Sequence, residues 1–256
     1  MNVLALPAFN DNYIWMLHDG VSAAVVDPGA AEPVLEALDA HGLVLQTILV
    51  THHHADHVGG VDALRAQLKG QVFGPARERI PAPFHALEEG DSVPVLGHQV
   101  QVLDVPGHTA GHIAYVLRPP GQATMLFCGD TLFSAGCGRL FEGTAAQMQQ
   151  SLAKLSALPG DTKVYCTHEY TVSNLRFAQA VEPDNLEVQQ ALARCMELRA
   201  RGAITLPSTL AEELRINPFL RCGEPQVIQC AKAHGASDNS LHAVFAALRE
   251  WKNNYR

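Results

Sequence analysis

Along the first 170 residues the apolar positions recur in two periods. Short β-branched or apolar runs bounded by Gly, Pro, Asp or His predict strands at Tyr13–Leu17, Ala23–Asp27, Thr47–Thr51, Val100–Val105, His112–Leu117, Thr124–Cys128 and Lys163–Cys166. Between them, Ala31–His41, Val58–Lys69 and Thr144–Leu155 place apolar residues at i, i+3 and i+4, the pattern of helices laid on a sheet. Thr144 with Gln147 supplies a capping box at the start of the last of these. After His168 the strand pattern stops. Thr171–Val181, Asn185–Arg201, Thr209–Arg215 and Ser237–Trp251 read as helices, with Thr209 and Glu212 as a second capping box and Pro183, Pro207 and Pro218 as punctuation. The change of period predicts an α+β domain over residues 1–170 and a helical domain over 171–256. Leu206–Arg221, with two prolines, is expected to be an irregular connection, since it lacks the Gly/Ser or charge content of a linker.

Composition adds exclusions. With 47% hydrophobic and 17% charged residues in a chain of 256, the sequence has the apolar content of a folded protein with a sizeable core. No apolar run approaches the about 18 residues a spanning helix requires, so no membrane association is expected. The N-terminus, MNVLALPAFNDNY, shows neither a basic start nor a long apolar stretch, which points to a cytoplasmic protein. Lys and Arg total 18 against 26 Asp and Glu, a formal charge of −8 with no basic cluster, so nucleic acid is not an expected partner. The 6 cysteines form no C-x-x-C pair and are expected to be small buried apolar residues. The 13 histidines are unusual, because three are consecutive.

Those histidines open the segment Thr51-His52-His53-His54-Ala55-Asp56-His57, which follows a predicted strand and precedes Gly59-Gly60. Residues two apart on an extended segment share a face, so His52 and His54 can converge on one ion, and Asp56 and His57 can reach a second after the chain turns. A lone histidine is more often a core residue than a ligand. Four potential ligands crowded into six positions at a strand's C-terminal end, where α/β sites open, read as a metal site. Three later pieces repeat the placement. His108 follows a strand in Pro106-Gly107-His108-Thr109, Asp130 follows another in Gly129-Asp130-Thr131, and His168 a third in Thr167-His168-Glu169. His112 fits a buttressing role better than a ligand role.

Seven ligands exceed the demand of one tetrahedral ion. The count divides into His52, His54 and His108 for one ion and Asp56, His57 and His168 for another, with Asp130 shared. Imidazole and carboxylate donors suit two divalent ions, Zn²⁺, Fe or Mn alike, and leave open positions of the catalytic kind. His53, His112 and Cys137 lie nearby with no role assigned.

The H-x-H-x-D-H motif and the later His, Asp and His positions resemble the metallo-β-lactamase superfamily, which implies an αββα sandwich with a two-metal site. Phe9-Asn10-Asp11-Asn12-Tyr13-Ile14-Trp15, Gly129–Phe133, Gly136-Cys137-Gly138-Arg139-Leu140-Phe141-Glu142-Gly143-Thr144, Thr167-His168-Glu169-Tyr170-Thr171 and Asn217-Pro218-Phe219 are similar, more narrowly, to the glyoxalase II (hydroxyacylglutathione hydrolase) family. The resemblance runs over essentially the whole chain. It implies the same division of metal ligands, catalytic roles for Asp56 and Asp130, and cleavage of S-(2-hydroxyacyl)glutathione, S-D-lactoylglutathione especially, to glutathione and D-lactate in methylglyoxal detoxification. It also implies a glutathione site at Arg139, Tyr170, Arg249 and Lys252 in a protein expected to be a monomer. Arg249 and Lys252, at i and i+3, are expected on the solvent face of a helix whose buried stripe is Leu241, Val244, Phe245 and Leu248. Where some family members carry a glutathione-binding tyrosine, this chain has Phe141. Competing readings are a lactonase or β-lactamase with the same metals, a mononuclear iron persulfide dioxygenase, and a binding module with a structural metal.

Overall fold

The computed structural model describes residues 1–255; Arg256, the last residue of the expected helical domain, lies outside the described residues. The chain divides into two compact units, Met1–Asp104 with Ala110–Gly129, and Val105–Thr109 with Asp130–Arg256.

The first unit runs β1 (Asn2–Ala8), β2 (Asn12–His18), β3 (Ser22–Val26), α1 (Glu32–His41), β4 (Val44–Leu49), α2 (Ala55–Val58), α3 (Val61–Leu64), β5 (Gln71–Pro75), β6 (His85–Leu87), β7 (Ser92–Val95), β8 (His98–Asp104), β9 (Ile113–Leu117) and β10 (Met125–Gly129). β1 to β6 form a sheet in sequence order, antiparallel through β3 and parallel from β3 to β6. β7 to β10 form an antiparallel meander. Alternation along β2 sends Ile14 and Met16 into a core completed by Val34, Ala37 and Leu38 of α1. The meander meets the first sheet through Tyr115, which is fully buried and donates its hydroxyl to the Val50 carbonyl at 2.8 Å. Helix, sheet and sheet therefore stack in layers.

One predicted helix is corrected here. Val58–Lys69 is not continuous: it holds the end of α2 and the single turn α3, separated at Gly59-Gly60. A Cβ at Gly59 would lie 2.6 Å from the Gly29 carbonyl oxygen, and one at Gly60 2.6 Å from the Ala30 carbonyl carbon. The two glycines let the chain turn directly against the loop between β3 and α1.

The second unit contains β11 (Leu132–Phe133), β12 (Gly136–Cys137), α4 (Ala145–Ser156), β13 (Lys163–Cys166), α5 (Thr171–Val181), α6 (Leu186–Ala200), β14 (Ser208–Thr209), α7 (Leu210–Ile216), α8 (Pro225–Ala233) and α9 (Leu241–Asn254). The Thr144–Gln147 capping box forms in both directions. At α7 only half of one does: Thr209 accepts from the Glu212 N–H, while the Glu212 carboxylate pairs with Arg194. Strand structure does not end at His168 either, since β14 pairs antiparallel with β13. The last helix begins four residues later than its pattern predicts, because Asp238 accepts from the Ser240 N–H at 2.7 Å and Ser240 caps the helix. Phe177 of α5, with Phe219, Trp251 and Tyr255 at centroid distances of 4.8–6.0 Å, packs α5 against α9. Among the described residues no helix is long and apolar enough to cross a membrane.

Candidate active site

In the first unit the ligand-rich loop is anchored on Asp27, just beyond β3. This residue adopts a left-handed φ of 52°, and its carboxylate accepts from the Thr51 N–H and the Thr51 hydroxyl, both at 2.7 Å. Aspartate tolerates this region better than most residues, and the two hydrogen bonds hold it there. Because the Thr51 hydroxyl gives its proton to Asp27, its oxygen is left to accept from His52 Nδ1 at 3.1 Å. That sets the tautomer of His52 with a lone pair on Nε2, which lies 3.1 Å from His54 Nδ1. The fully buried His57 stands with Nδ1 3.0 Å from Asp27 Oδ2 and Nε2 3.6 Å from Asp56 Oδ2. Asn12 donates to that same Asp56 oxygen at 3.0 Å.

The middle histidine of the run points elsewhere. His53 engages Glu78 Oε2 through its backbone N–H at 2.7 Å and Nδ1 at 2.6 Å, and Glu78 Oε1 accepts from the Gly111 N–H. His112 is fully buried with its ring stacked on His52 at 4.5 Å.

In the second unit, His108 donates from Nδ1 to the Arg139 carbonyl at 2.9 Å, which leaves the lone pair on Nε2. That nitrogen lies 3.5 Å from Asp130 Oδ2, and His168 Nε2 lies 3.3 Å from the same oxygen. One carboxylate oxygen thus faces two imidazole nitrogens. Gly138 makes room for the backbone of Asp130: a Cβ there would fall 1.9 Å from the Asp130 carbonyl oxygen. The His168 ring stacks on Tyr170 at 4.7 Å, with the Phe133 ring set edgewise at 5.7 Å from His168.

His108 and Asp130 also line a cavity of about 520 Å³, shared with Arg139, Tyr170, Arg249 and Lys252. Arg249 is 5% exposed; its Nη1 donates to the Cys137 carbonyl at 2.8 Å, and its guanidinium lies 5.1 Å from the centroid of the Phe219 ring. Lys252 donates to the Ser173 carbonyl at 3.3 Å. Burial, followed by the positive charges of Arg249 and Arg139, brings its pKa down to about 8. Cys137 lines the same cavity as a thiol, its pKa raised by burial. Buried nitrogen and carboxylate oxygen donors without thiolate are what a borderline divalent cation takes. Histidine and aspartate groups able to bind a metal pair are thus present on the chain.

Residues 9–168 match the family model of the metallo-β-lactamase superfamily, and residues 169–255 match the model described as the hydroxyacylglutathione hydrolase C-terminus. A curated relative from Albidiferax ferrireducens, named hydroxyacylglutathione hydrolase, is 56% identical over 255 residues and is matched over 100% of both chains. One of the same name from Pseudomonas aeruginosa is 56% identical, with 98% of each chain covered. The chain belongs to the hydroxyacylglutathione hydrolase family. Among solved structures, ETHE1 from Myxococcus xanthus superposes with a TM-score of 0.66 at 26% identity over 100% of both chains. The α+β metallo-β-lactamase fold followed by a helical C-terminal domain, expected from the sequence, holds for this family member.

Two placements in the last helix of this hydroxyacylglutathione hydrolase family member differ from expectation. Arg249 does not share a solvent face with Lys252; it is buried, because the Cys137 carbonyl and the Phe219 ring together receive its guanidinium. Leu241 does not belong to the buried stripe and is 49% exposed, whereas Val244, Phe245 and Leu248 are buried. Leu241 is the first residue of α9, before the helix has entered the core. Sequence reasoning also missed Asp27, Asn12 and Glu78, which touch the ligand loop without being candidates for it. For Asp27 a signal existed: an acid at a strand's end before Pro28-Gly29.

Proposed function

We propose that this chain hydrolyses the thioester of S-(2-hydroxyacyl)glutathione, S-D-lactoylglutathione especially, to glutathione and a 2-hydroxy acid, D-lactate, in the detoxification of methylglyoxal. The observation that carries this reading is the cavity in which three cations, Arg139, Arg249 and Lys252, line the same wall set as His108 and Asp130 on a chain of net charge −8. Glutathione brings two carboxylates, and cations gathered in one cavity are the groups that recognise them. Tyr170, stacked on His168, offers a hydroxyl beside them.

His52, His54 and His108 would hold one divalent ion, Asp56, His57 and His168 a second, and Asp130 would serve both. Zn²⁺ is the first choice for these donors, with Fe and Mn as alternatives. When bound, such ions supply Lewis-acid polarisation of the carbonyl and a water acidified toward about pKa 7. The chain's own residues do the rest. Thr51 and the Arg139 carbonyl hold the imidazoles of His52 and His108 in the tautomers that present Nε2. Asn12 holds one oxygen of Asp56, the carboxylate that would take a proton from the attacking water. The departing thiolate of glutathione needs little acid assistance. With no basic cluster on the chain, a cytoplasmic monomer acting on this small substrate, without nucleic acid or membrane as partner, completes the proposal. Its division of labour gives residues 1–170 the catalytic domain and 171–256 the glutathione-binding domain.

The test is loss of thioester absorbance with S-D-lactoylglutathione and the metal-loaded protein, set against the same acyl group on a small thiol without carboxylates. Efficient cleavage of the first and poor cleavage of the second are expected. No cleavage of either would overturn the substrate assignment.

A further inference from the structure

The β11–β12 hairpin turns through two residues, Ser134 and Ala135, and Ala135 adopts a φ of 54°. Glycine, asparagine or aspartate normally fills such a position, because a Cβ there crowds the backbone. An alanine stays in this conformation only if its surroundings over-determine it, and the surroundings here are unusually complete. The Ala135 N–H donates to Glu213 Oε2 at 2.8 Å. Asn217 Nδ2 donates to the carbonyls of Phe133 at 3.1 Å and Gly136 at 2.9 Å, and also contacts Glu213 Oε2 at 3.1 Å. Asn174 Nδ2 donates to the Ser134 carbonyl at 3.0 Å. The side chain of Asn217 is itself oriented by the Phe219 N–H, which donates to its Oδ1 at 3.1 Å. Gly136 admits the arrangement, since a Cβ there would lie 2.4 Å from Asn174 Nδ2. Glu213 and Asn217 are fully buried.

Both ends of this hairpin line the cavity. Phe133 sets its ring edge against Tyr170 at 5.4 Å and against His168, and the Cys137 carbonyl is the acceptor that holds the buried Arg249. Glu213 touches neither the cavity nor any metal-ligand candidate in these contacts. A carboxylate buried in an apolar interior is costly, and a polar side chain that served only to fill space would be better replaced by an apolar one.

We infer that Glu213, with Asn217, is a positioning residue: it locks the Ser134-Ala135 turn so that the Cys137 carbonyl presents Arg249 to the glutathione part of the substrate. The inference rests on the proposed thioester hydrolysis. It places a determinant of substrate affinity on α7, a helix that supplies no group to the cavity. Burial raises the Glu213 pKa to about 7, which agrees with a carboxyl used as a hydrogen-bond acceptor and not as a counter-charge.

The experiment compares kcat and KM of the metal-loaded wild type, Glu213→Ala, Glu213→Gln, Arg249→Met and the double variant Glu213→Ala/Arg249→Met on S-D-lactoylglutathione. Glu213→Ala is expected to raise KM about tenfold with kcat within about twofold, a loss of binding rather than of chemistry. Glu213→Gln, which keeps an oxygen for both donors, is expected to restore KM to within about twofold. In the double variant KM should exceed that of Arg249→Met alone by less than about twofold, since the two act through one contact. An unchanged KM in Glu213→Ala, or additive effects in the double variant, would overturn the inference. A purely structural role would lower the active fraction and hence kcat, leaving KM alone. Should Glu213→Ala fail to fold, Asn217→Ser, which removes the donors to Phe133 and Gly136, is scored in the same way. Absence of hydrolysis by the wild type would instead reject the thioester reading itself.

Discussion

The Cys137 carbonyl oxygen accepts from Arg249 Nη1 at 2.8 Å across 112 positions of sequence. A neutral dipole, not a carboxylate, holds this buried guanidinium. Its charge is fixed in place without being cancelled, which leaves its field available to an anionic ligand. Replacing Arg249 with Met should raise KM for S-D-lactoylglutathione by about 10- to 100-fold, the loss of one desolvated charge-assisted contact. It should also lower the unfolding free energy by about 1–3 kcal/mol, because the Cys137 carbonyl loses its partner. Steady-state kinetics and urea unfolding on the same preparation check both.

Lys252 makes the affinity sensitive to alkali. Its pKa is brought to about 8 from an ordinary 10.5 by burial and by Arg249 and Arg139. As pH rises through about 8 the ammonium loses its proton and KM for a substrate with two carboxylates should climb. Lys252→Arg, which stays charged, should move that rise out of the accessible range. The same depression means the folded state binds fewer protons than the unfolded one between about 8 and 10.5, so this group's contribution to stability grows as pH rises across that window.

Glu213 works in the opposite sense. Its folded pKa of about 7 exceeds the ordinary 4.5, so between those values the folded state binds more protons than the unfolded one. The contribution is fully present below 4.5 and is lost as pH rises through 7. Unfolding free energy measured by urea from pH 4.5 to 8 should fall less steeply in Glu213→Gln than in the wild type. Parallel curves would contradict the assignment.

Asp130→Ala should reduce bound metal below the wild-type stoichiometry and reduce hydrolysis with it, since one oxygen faces both His108 and His168. Elemental analysis of the purified variant reads the first quantity. Full activity with full metal content would remove Asp130 from the proposed shared position.

Phe141 lines the cavity with 63% of its surface exposed. Phe141→Tyr adds a hydroxyl at that rim. A gain of one hydrogen bond, about 0.5–1.5 kcal/mol, corresponds to a fall in KM of roughly two- to tenfold.

The extent to which the sequence foretold this molecule depended on how local each signal was. The Thr144–Gln147 capping box is a contact between near neighbours, and it stands as the pattern predicts. The strands leading to Thr51 and His168 were legible because they are apolar runs ended by polar residues. β5 escaped because Gly74 and Pro75 lie inside it, residues that usually interrupt a strand. α8, opened by Pro225, has no side-chain cap to mark its start, unlike the shorter α7, which Thr209 caps. The seven candidate ligands were legible as residue types at strand ends. The burial of Arg249 was not, because nothing near it in sequence announces the Cys137 carbonyl or the Phe219 ring. Asn217-Pro218-Phe219 was visible as a motif, yet its partners, the carbonyls of Phe133 and Gly136, lie more than 80 positions away.

The backbone beyond β3 bears on how portable the ligand motif is. A Cβ at Gly29 would sit 1.9 Å from the Asp56 carbonyl oxygen, and Asp27 holds Thr51 at the loop's entry. The loop is cast against a mould supplied by a neighbouring strand. A protein engineer who copied only His52 to His57 onto a foreign strand end would transfer the donor atoms and leave behind the surface that aims them.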